Sequence, residues 1–414
     1  MMFALAVGIT ALQAADFDLA TDATNQLGLD LHRKLATGDE NLCLSPYSIQ
    51  TALAMTFGGA DGETRTEMAR ALHFPPQGDA IHKSFASLQR ALEEMAKNTA
   101  NIAEASKKSG GPSEPITLAI ANRLFAQSGY EFLDSFRTFT KLFYAAAFEP
   151  MDFRKNPERA RQEINQWVSE QTRDRIRDLI PPNGVDATTR LVLANAIYLK
   201  APWQFEFNNA STKPAPFHVR GRDPVDVSTM NKRANFRYAK RDGFTALGLP
   251  YTGGDMQLLI LFPDAVNGLA KMESTLTADL LLQCAKMETR DIDLYLPKFK
   301  FEPPTTALAD QLKALGMKSA FDEPAGSANF SGIAPRKPND YLAISQVFHK
   351  TFIAVDEKGT EAAAATAVAM LAMARMQSSP PKPIEVRVDR PFVYAIQHVP
   401  SGACLFLGRV TDPR

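Results

Sequence analysis

From Ala362 to Ala374 the chain runs for thirteen residues without a charge, and alanine dominates the run. It follows Glu357-Lys-Gly-Thr-Glu361 and leads into Arg375 and Ser378-Ser379-Pro380-Pro381-Lys382-Pro383. On propensity the run is helical, because alanine, methionine and leucine are among the best helix formers. A helix here would have no polar face and would need an apolar site on every side. The prolines beyond it cannot join a central sheet and mark a surface path. A second reading removes the conflict: the segment is a strand that is exposed in one state and inserted into a sheet in another. Thr360, Ala362, Ala364 and Thr366 then share one face, all small enough to pass beneath whatever covers the sheet. Gly359 becomes the pivot, where unusual backbone angles cost little. Thr360 is expected near the exposed root of the loop, where a charged substitute would stay hydrated.

The remaining sequence supplies a large soluble frame for such a segment. The chain has 414 residues, 45% of them hydrophobic and 22% charged, an ordinary balance for a globular protein. Lys+Arg 46 against Asp+Glu 46 gives zero net charge, which removes the global electrostatic argument for a nucleic-acid or membrane-surface binder. Cys43, Cys284 and Cys404 are too few and too scattered for a disulfide framework or a zinc site, and read as buried free thiols. Neither a metal nor a cofactor is expected. Residues 1–15 carry an apolar run from Phe3 to Leu12 and end in Gln13-Ala14-Ala15. This resembles a signal peptide without its basic start, and implies an extracellular or periplasmic protein, with a cytoplasmic one as the alternative.

Helical signals come early and strand signals late, an α+β order. Leu27, Leu31 and Leu35 are spaced as one helical face before a stop at Gly38. Asn156 can cap a helix with Pro157 at its first position and Ala160, Ile164, Trp167 and Val168 as its stripe, ending at Pro181-Pro182-Asn183-Gly184. A helix is also expected near His82 to Lys97. Lys97 to Pro115 reads as a solvated excursion. Leu191 to Leu199 reads as a buried strand, and Ile292, Leu294 and Leu296 alternate as a half-buried one. Met256 to Phe262, Thr351 to Val355, Ile384 to Val388, Phe392 to Ile396 and Cys404 to Val410 are further strand-like runs.

Catalytic signatures are missing from the sequence. There is no Gly-x-Ser-x-Gly, no His-Glu-x-x-His among the six histidines and no phosphate-binding glycine loop. Ser379-Pro-Pro-Lys382 matches Ser-x-x-Lys only in letters, since its prolines forbid the helical turn that would bring lysine to serine. A hydrolase with a triad assembled from distant residues would leave no such signature, and is kept only as a third hypothesis.

Glu357-Lys-Gly-Thr-Glu-Ala-Ala-Ala-Ala-Thr366 resembles the hinge of inhibitory serpins, the serine-protease-inhibitor superfamily. Asn41-Leu-Cys-Leu-Ser-Pro-Tyr-Ser48 and Asn195-Ala-Ile-Tyr-Leu-Lys-Ala-Pro-Trp203 resemble two further elements of that family. Leu296-Pro-Lys-Phe299, His349 through Val355-Asp-Glu-Lys-Gly359, Arg390-Pro-Phe392 and Leu405-Phe-Leu-Gly-Arg-Val410 follow in the family's order. The resemblance runs from about Asp16 to Arg414. It implies a single serpin domain over 16–414, with three β-sheets, eight or nine helices and an exposed reactive-centre loop over about 357–383.

By the same resemblance, Glu357, Gly359, Thr360, Glu361, Ala362, Ala363, Ala364, Ala365 and Thr366 form the hinge. Ser45, Ser48, Asn195 and His349 match the shutter, where the main sheet parts, and Trp203 matches the breach, where insertion begins. The attacked bond falls at Met373–Ala374 by the family's spacing, with Leu371–Ala372 and Arg375–Met376 as alternatives. Methionine there suits an apolar specificity pocket, and arginine an acidic one. The implied function is suicide-substrate inhibition of a serine protease, or of a cysteine protease, by a monomer. The alternative is a non-inhibitory serpin-like carrier, storage or chaperone-like protein. No heparin-type activation is expected, because Lys107-Lys108 is too small a basic cluster. Thr360 to Met373 is 14 residues, so as a strand it would span ~45 Å and release on the order of 10 kcal/mol in strand hydrogen bonds.

Overall fold

A computed structural model describes residues 17–75, 78–108, 114–361 and 382–414. The leader reading for residues 1–15 therefore falls outside the described residues, apart from the statement that no described helix is long and apolar enough to cross a membrane.

The leucine spacing near the N-terminus forms α1 (Asp18–Leu35), which buries Leu27 and Leu31. α2 (Pro46–Phe57) starts where Ser45 accepts a hydrogen bond from the Ser48 amide and Pro46 takes the first helical position, an arrangement that satisfies a free N–H and wastes none. α3 (Gly62–Ala71) follows. α4 (Ala80–Lys108) overturns the excursion expected after Lys97. Met95, Thr99 and Ala103 continue its buried face, so one small or apolar residue per turn carries the helix through a polar sequence. α5 (Asp134–Tyr144) and α6 (Pro157–Gln171) complete the set before the long strands. α6 stops at Gln171, well short of the prolines expected to end it, and its Asn156 makes no capping bond; the Asn156 amide instead donates to Asp152 at 3.2 Å. α7 (Leu269–Glu273), α8 (Ala278–Ala285) and α9 (Ala309–Ala314) bring the helices among the described residues to nine.

Among the described residues, three sheets carry the strands. The largest contains β1 (Leu42–Leu44), β5 (Lys213–Phe217), β6 (Val225–Arg241), β7 (Phe244–Pro250), β8 (Met256–Pro263), β9 (Thr289–Pro297), β15 (Ile384–Arg387), β16 (Phe392–His398) and β17 (Ala403–Val410). The 17-residue β6 is shared along its length, pairing β5 through its first part, β9 from Thr229 to Arg237 and β7 through its last part. A two-stranded sheet joins β11 (Thr306–Ala307) to β12 (Phe348–His349).

The third sheet has six strands. Its order is β10 (Phe299–Phe301), β13 (Ile353–Val355), β14 (Gly359–Thr360), β4 (Leu191–Pro202), β2 (Thr117–Gln127) and β3 (Ala147–Met151). β13 begins only at Ile353, two residues later than the expected run from Thr351. The main core lies between this sheet, the large one and helices α1 and α2, with Phe57, Leu258, Ile260, Tyr394 and Ile396 at its centre. α6 seals the outer face of the six-stranded sheet through Ile164, Trp167 and Val168 against Phe125 and Ala194.

Candidate functional site

β4 is paired unequally on its two edges. Against β2 it is paired from Leu191 to Lys200. On the other edge, among the described residues, only Ala201 and Pro202 have a partner, Thr360 and Gly359 of β14. β14 in turn pairs with β13 through Thr360 and Val355. Among the described residues the sheet is thus closed at one end by Gly359 and Thr360 and parted below them. Under the parting lies a cavity of about 970 Å³, lined by Leu191–Ala194 and Ile197 of β4, residues 339–351, the inner face of α2 and residues 176–190 after α6.

The closed end is held by a set of aromatic and ionic contacts. Trp203 is buried and stacks on Tyr251 with centroids 4.7 Å apart and planes within 4°. Its indole N–H donates to the Asp356 carbonyl at 2.8 Å, and its amide donates to the Lys358 carbonyl at 2.9 Å. The Asp356 carboxylate accepts the Lys358 and Gly359 amides at 2.8 and 3.3 Å, a side-chain-closed turn that aims the chain into the sheet. Glu357 accepts from Thr212 Oγ1 at 2.7 Å and Lys298 Nζ at 2.8 Å. Burial works to raise its carboxyl pKa, but Lys298 and Thr212 outweigh burial and hold it below the ordinary value.

Gly359 has φ +155°, and a Cβ on it would stand 2.1 Å from the Ala201 carbonyl oxygen, so only glycine lets the two strands approach here. Thr360 is 3% exposed, and its hydroxyl meets that of Tyr251. This corrects the expectation of an exposed, hydrated root. The hydroxyl of Tyr251, stacked on Trp203, gives the buried threonine a polar partner.

At the other end of the parting, Ser45, Ser48 and His349 come together. The Ser45 amide donates to His349 Nε2 at 3.0 Å, and the Ser45 hydroxyl donates to the Leu405 carbonyl at 2.8 Å while accepting the Ser48 amide. Burial pushes the His349 imidazole down to about 4, so near pH 7 it is neutral and offers Nε2 as an acceptor. Asn195 sits in β4 opposite Asn122 of β2. Glu357, Gly359, Thr360 and Glu361 are within the described residues. Ala362, Ala363, Ala364, Ala365 and Thr366 lie outside them, as do Met373, Ala374, Arg375, Met376 and the alternative Leu371–Ala372.

Sequence reasoning gave no site role to Tyr251, nor to Lys298 and Asp356, although the last two stand inside the motifs quoted above. Tyr251 stands just before Gly253-Gly254 at the end of β7, where an aromatic beside a glycine turn is a faint signal. The others became visible only when distant segments met. The three cysteines are buried free thiols, as their scatter predicted.

The family model for "Serpin (serine protease inhibitor)" matches residues 22–413. An uncharacterized serpin-like protein of Thermococcus kodakarensis is 38% identical over 394 residues, covering 95% of this chain and 85% of that protein. The leukocyte elastase inhibitor of Bos taurus is 39% identical over 383 residues, covering 90% of this chain and 93% of that one. Among solved structures, uncleaved ovalbumin matches with TM-score 0.77 at 29% identity, covering 95% of this chain and 99% of that chain. A cleaved serpin, Serpin 42Da, matches with TM-score 0.78 at 29% identity, covering 97% and 100%. With a family model spanning nearly its whole length and relatives of this identity over most of it, the chain belongs to the serpin family.

Proposed function

We propose that this serpin is a protease inhibitor of the suicide-substrate kind, cleaved in its reactive loop by a serine or cysteine protease and inserting that loop into the six-stranded sheet. Protease inhibition is supported at the level of the family and of the elastase-inhibitor relatives. The insertion step rests on one observation: Gly359 and Thr360 already lie between β4 and β13, above an edge of β4 that has no other described partner.

The register gives the proposal its geometry. Thr360 stands opposite Ala201, so a continuing antiparallel strand would set Ala362 against Leu199, Ala364 against Ile197 and Thr366 against Asn195. It would reach the end of β4 when Met370 meets Leu191. The ten positions from Glu361 to Met370 would span ~33 Å and place Met373, our choice of specificity residue over Arg375 and Leu371, just past the far end of the strand. Ser45, Ser48, Asn195 and His349 would then act as the cluster that rearranges as the parting fills, and Trp203 as the wall at which filling begins. Filling adds hydrogen bonds on two edges at roughly 1 kcal/mol each, so the unfilled state is metastable and persists for kinetic reasons. Alanines suit the inserted face because nothing bulky has to pass beneath α6.

The elastase-inhibitor relatives lend the secreted reading no support, and a cytoplasmic protein is proposed in its place. Incubation with a panel of serine and cysteine proteases, followed by denaturing electrophoresis, tests the proposal. A covalent serpin–protease band is expected, and mass analysis of the released fragment identifies the bond. If every active protease cleaves the loop and turns over without a covalent band, inhibition is wrong. The non-inhibitory carrier, storage or chaperone-like alternative then stands if cleavage also leaves the melting temperature unchanged.

A further inference from the structure

Glu361 is the last described residue of the hinge, and its backbone departs from the strand it should continue. Its amide still donates to the Ala354 carbonyl of β13 at 2.7 Å, yet its φ is +48°. That is a left-handed conformation, costly for a residue with a side chain. Something must hold it there. The Glu361 carboxylate accepts from Arg175 Nε at 2.5 Å, and the Glu361 side chain is 11% exposed. Arg175 belongs to the segment after α6, with its guanidinium 5.2 Å from the centroid of the Phe352 ring. Glu361 also lines a small cavity of about 20 Å³ with Tyr198 and Leu199 of β4 and Ile353 and Ala354 at β13. Ala354 is Glu361's own partner, and Leu199, Tyr198 and Ile353 are among the residues against which the next two strand positions would pair. The carboxylate therefore lies over the mouth of the parting. An extended Glu361 would instead stand opposite Lys200, which is already paired with Glu114 at 2.7 Å.

We propose that Arg175 holds Glu361 as a plug over the mouth of the parted sheet, and that its release from Arg175 sets when strand insertion starts. This rests on the insertion reading above. Arg175 is a positioning residue here: it touches no reacting bond, but ties the segment crossing the parting to the hinge that must move past it. The partly exposed ion pair is strong enough to bias a rate and weak enough to break.

The test compares the wild type with Arg175→Gln and Glu361→Gln in two assays that need no protease. One follows annealing of a synthetic peptide with the sequence of residues 362–373, read as a rise in melting temperature. The other follows spontaneous conversion of the uncleaved protein to a form of raised melting temperature. Both variants should take up peptide and convert roughly fivefold faster than wild type, and added salt should accelerate the wild type toward the variants while leaving them nearly unchanged. The charge-swapped pair Arg175→Glu with Glu361→Arg should restore the slow rate. Wild-type rates with unaltered salt response in both variants would overturn the plug. If the wild type itself shows no melting rise with peptide or on loop cleavage, the insertion reading fails, and the plug with it.

Discussion

The side-chain hydroxyls of Thr360 and Tyr251 meet 2.5 Å apart inside the protein, and Tyr251 is itself stacked against Trp203. Thr360 is therefore docked between β4 and β13 in the uncleaved chain. Replacing Thr360 with Val keeps the volume and strips a buried hydroxyl of its partner, for an expected loss of about 1–2 kcal/mol and a melting temperature lower by a few degrees. Thr360→Arg should do more, because a buried unpaired charge costs about 3–5 kcal/mol. It should expel β14 from between its neighbours, seen as fast hydrogen exchange at Gly359 and Glu361. An Arg variant with wild-type melting and protection would show that the docking is not needed.

At Gly359 the prediction concerns space and backbone together. Gly359→Ala would force a methyl to 2.1 Å from the Ala201 oxygen at φ +155°, and strain of this kind costs of order 1–3 kcal/mol before any clash is relieved. The urea midpoint should drop while the bulk of the circular dichroism stays native. An unchanged midpoint would mean that β14 and β4 separate without penalty.

Trp203 and Tyr251 should prove coupled. Trp203→Leu removes the stack and the indole bond to the Asp356 carbonyl, with an expected loss of about 3–5 kcal/mol. Trp203→Phe keeps a ring and loses only the N–H, at about 1 kcal/mol. A double-mutant cycle with Tyr251→Leu should return a coupling of about 1 kcal/mol. Simple additivity would demote the pair to separate packing residues.

Acid should weaken the native state through its buried imidazoles. His82, His349 and His398 are each pushed down to about 4 by burial, against an ordinary value near 6.5. Because the folded value lies below the unfolded one, the unfolded chain takes up protons first as pH falls from 6.5 toward 4. The stabilisation present above 6.5 is lost through that window, at up to ~1.4 kcal/mol per pH unit for each group. Melting temperature should therefore fall steadily from pH 6.5 to 5, and His349→Asn should flatten the slope by about a third of the three-histidine effect. A flat profile in the wild type would contradict burial of these rings.

Much of the frame was legible because it is periodic. The strand from Leu191 and the alternation around Leu294 appear where their apolar patterns placed them, since burial of one or both faces leaves a repeat that survives without context. Residues 97–108 were misread because Met95, Thr99 and Ala103 mark the buried face so thinly that local polarity outweighed it. At Gly359 the sequence made unusual backbone angles legible, and its φ is +155° where β14 approaches Ala201. The docking of Thr360 was not legible, because its partner Tyr251 lies more than a hundred positions away and no local pattern links them. Arg175 was hidden for the same reason: an arginine among charged neighbours looks like solvated surface until Glu361 is brought beside it.

β1 pairs with β17, Leu42 standing opposite Arg409 and Leu44 opposite Leu407. A ribosome building the chain at ~5–20 residues per second would release Leu44 roughly 20 to 70 s before its partner exists. During that interval α1 and α2, which pack on β17, have no floor on which to close. The early third of the protein must wait, exposed and sticky, for strands made last. On the insertion reading proposed above, the parted sheet is not the lowest-energy pairing of this sequence, so the order of arrival becomes part of the specification. β16 and β17 must lock the large sheet before the 362–374 segment finds the open edge of β4. Synthesis rate and chaperone contact during that last minute should then decide what fraction of newly made molecules emerges armed and what fraction emerges already spent.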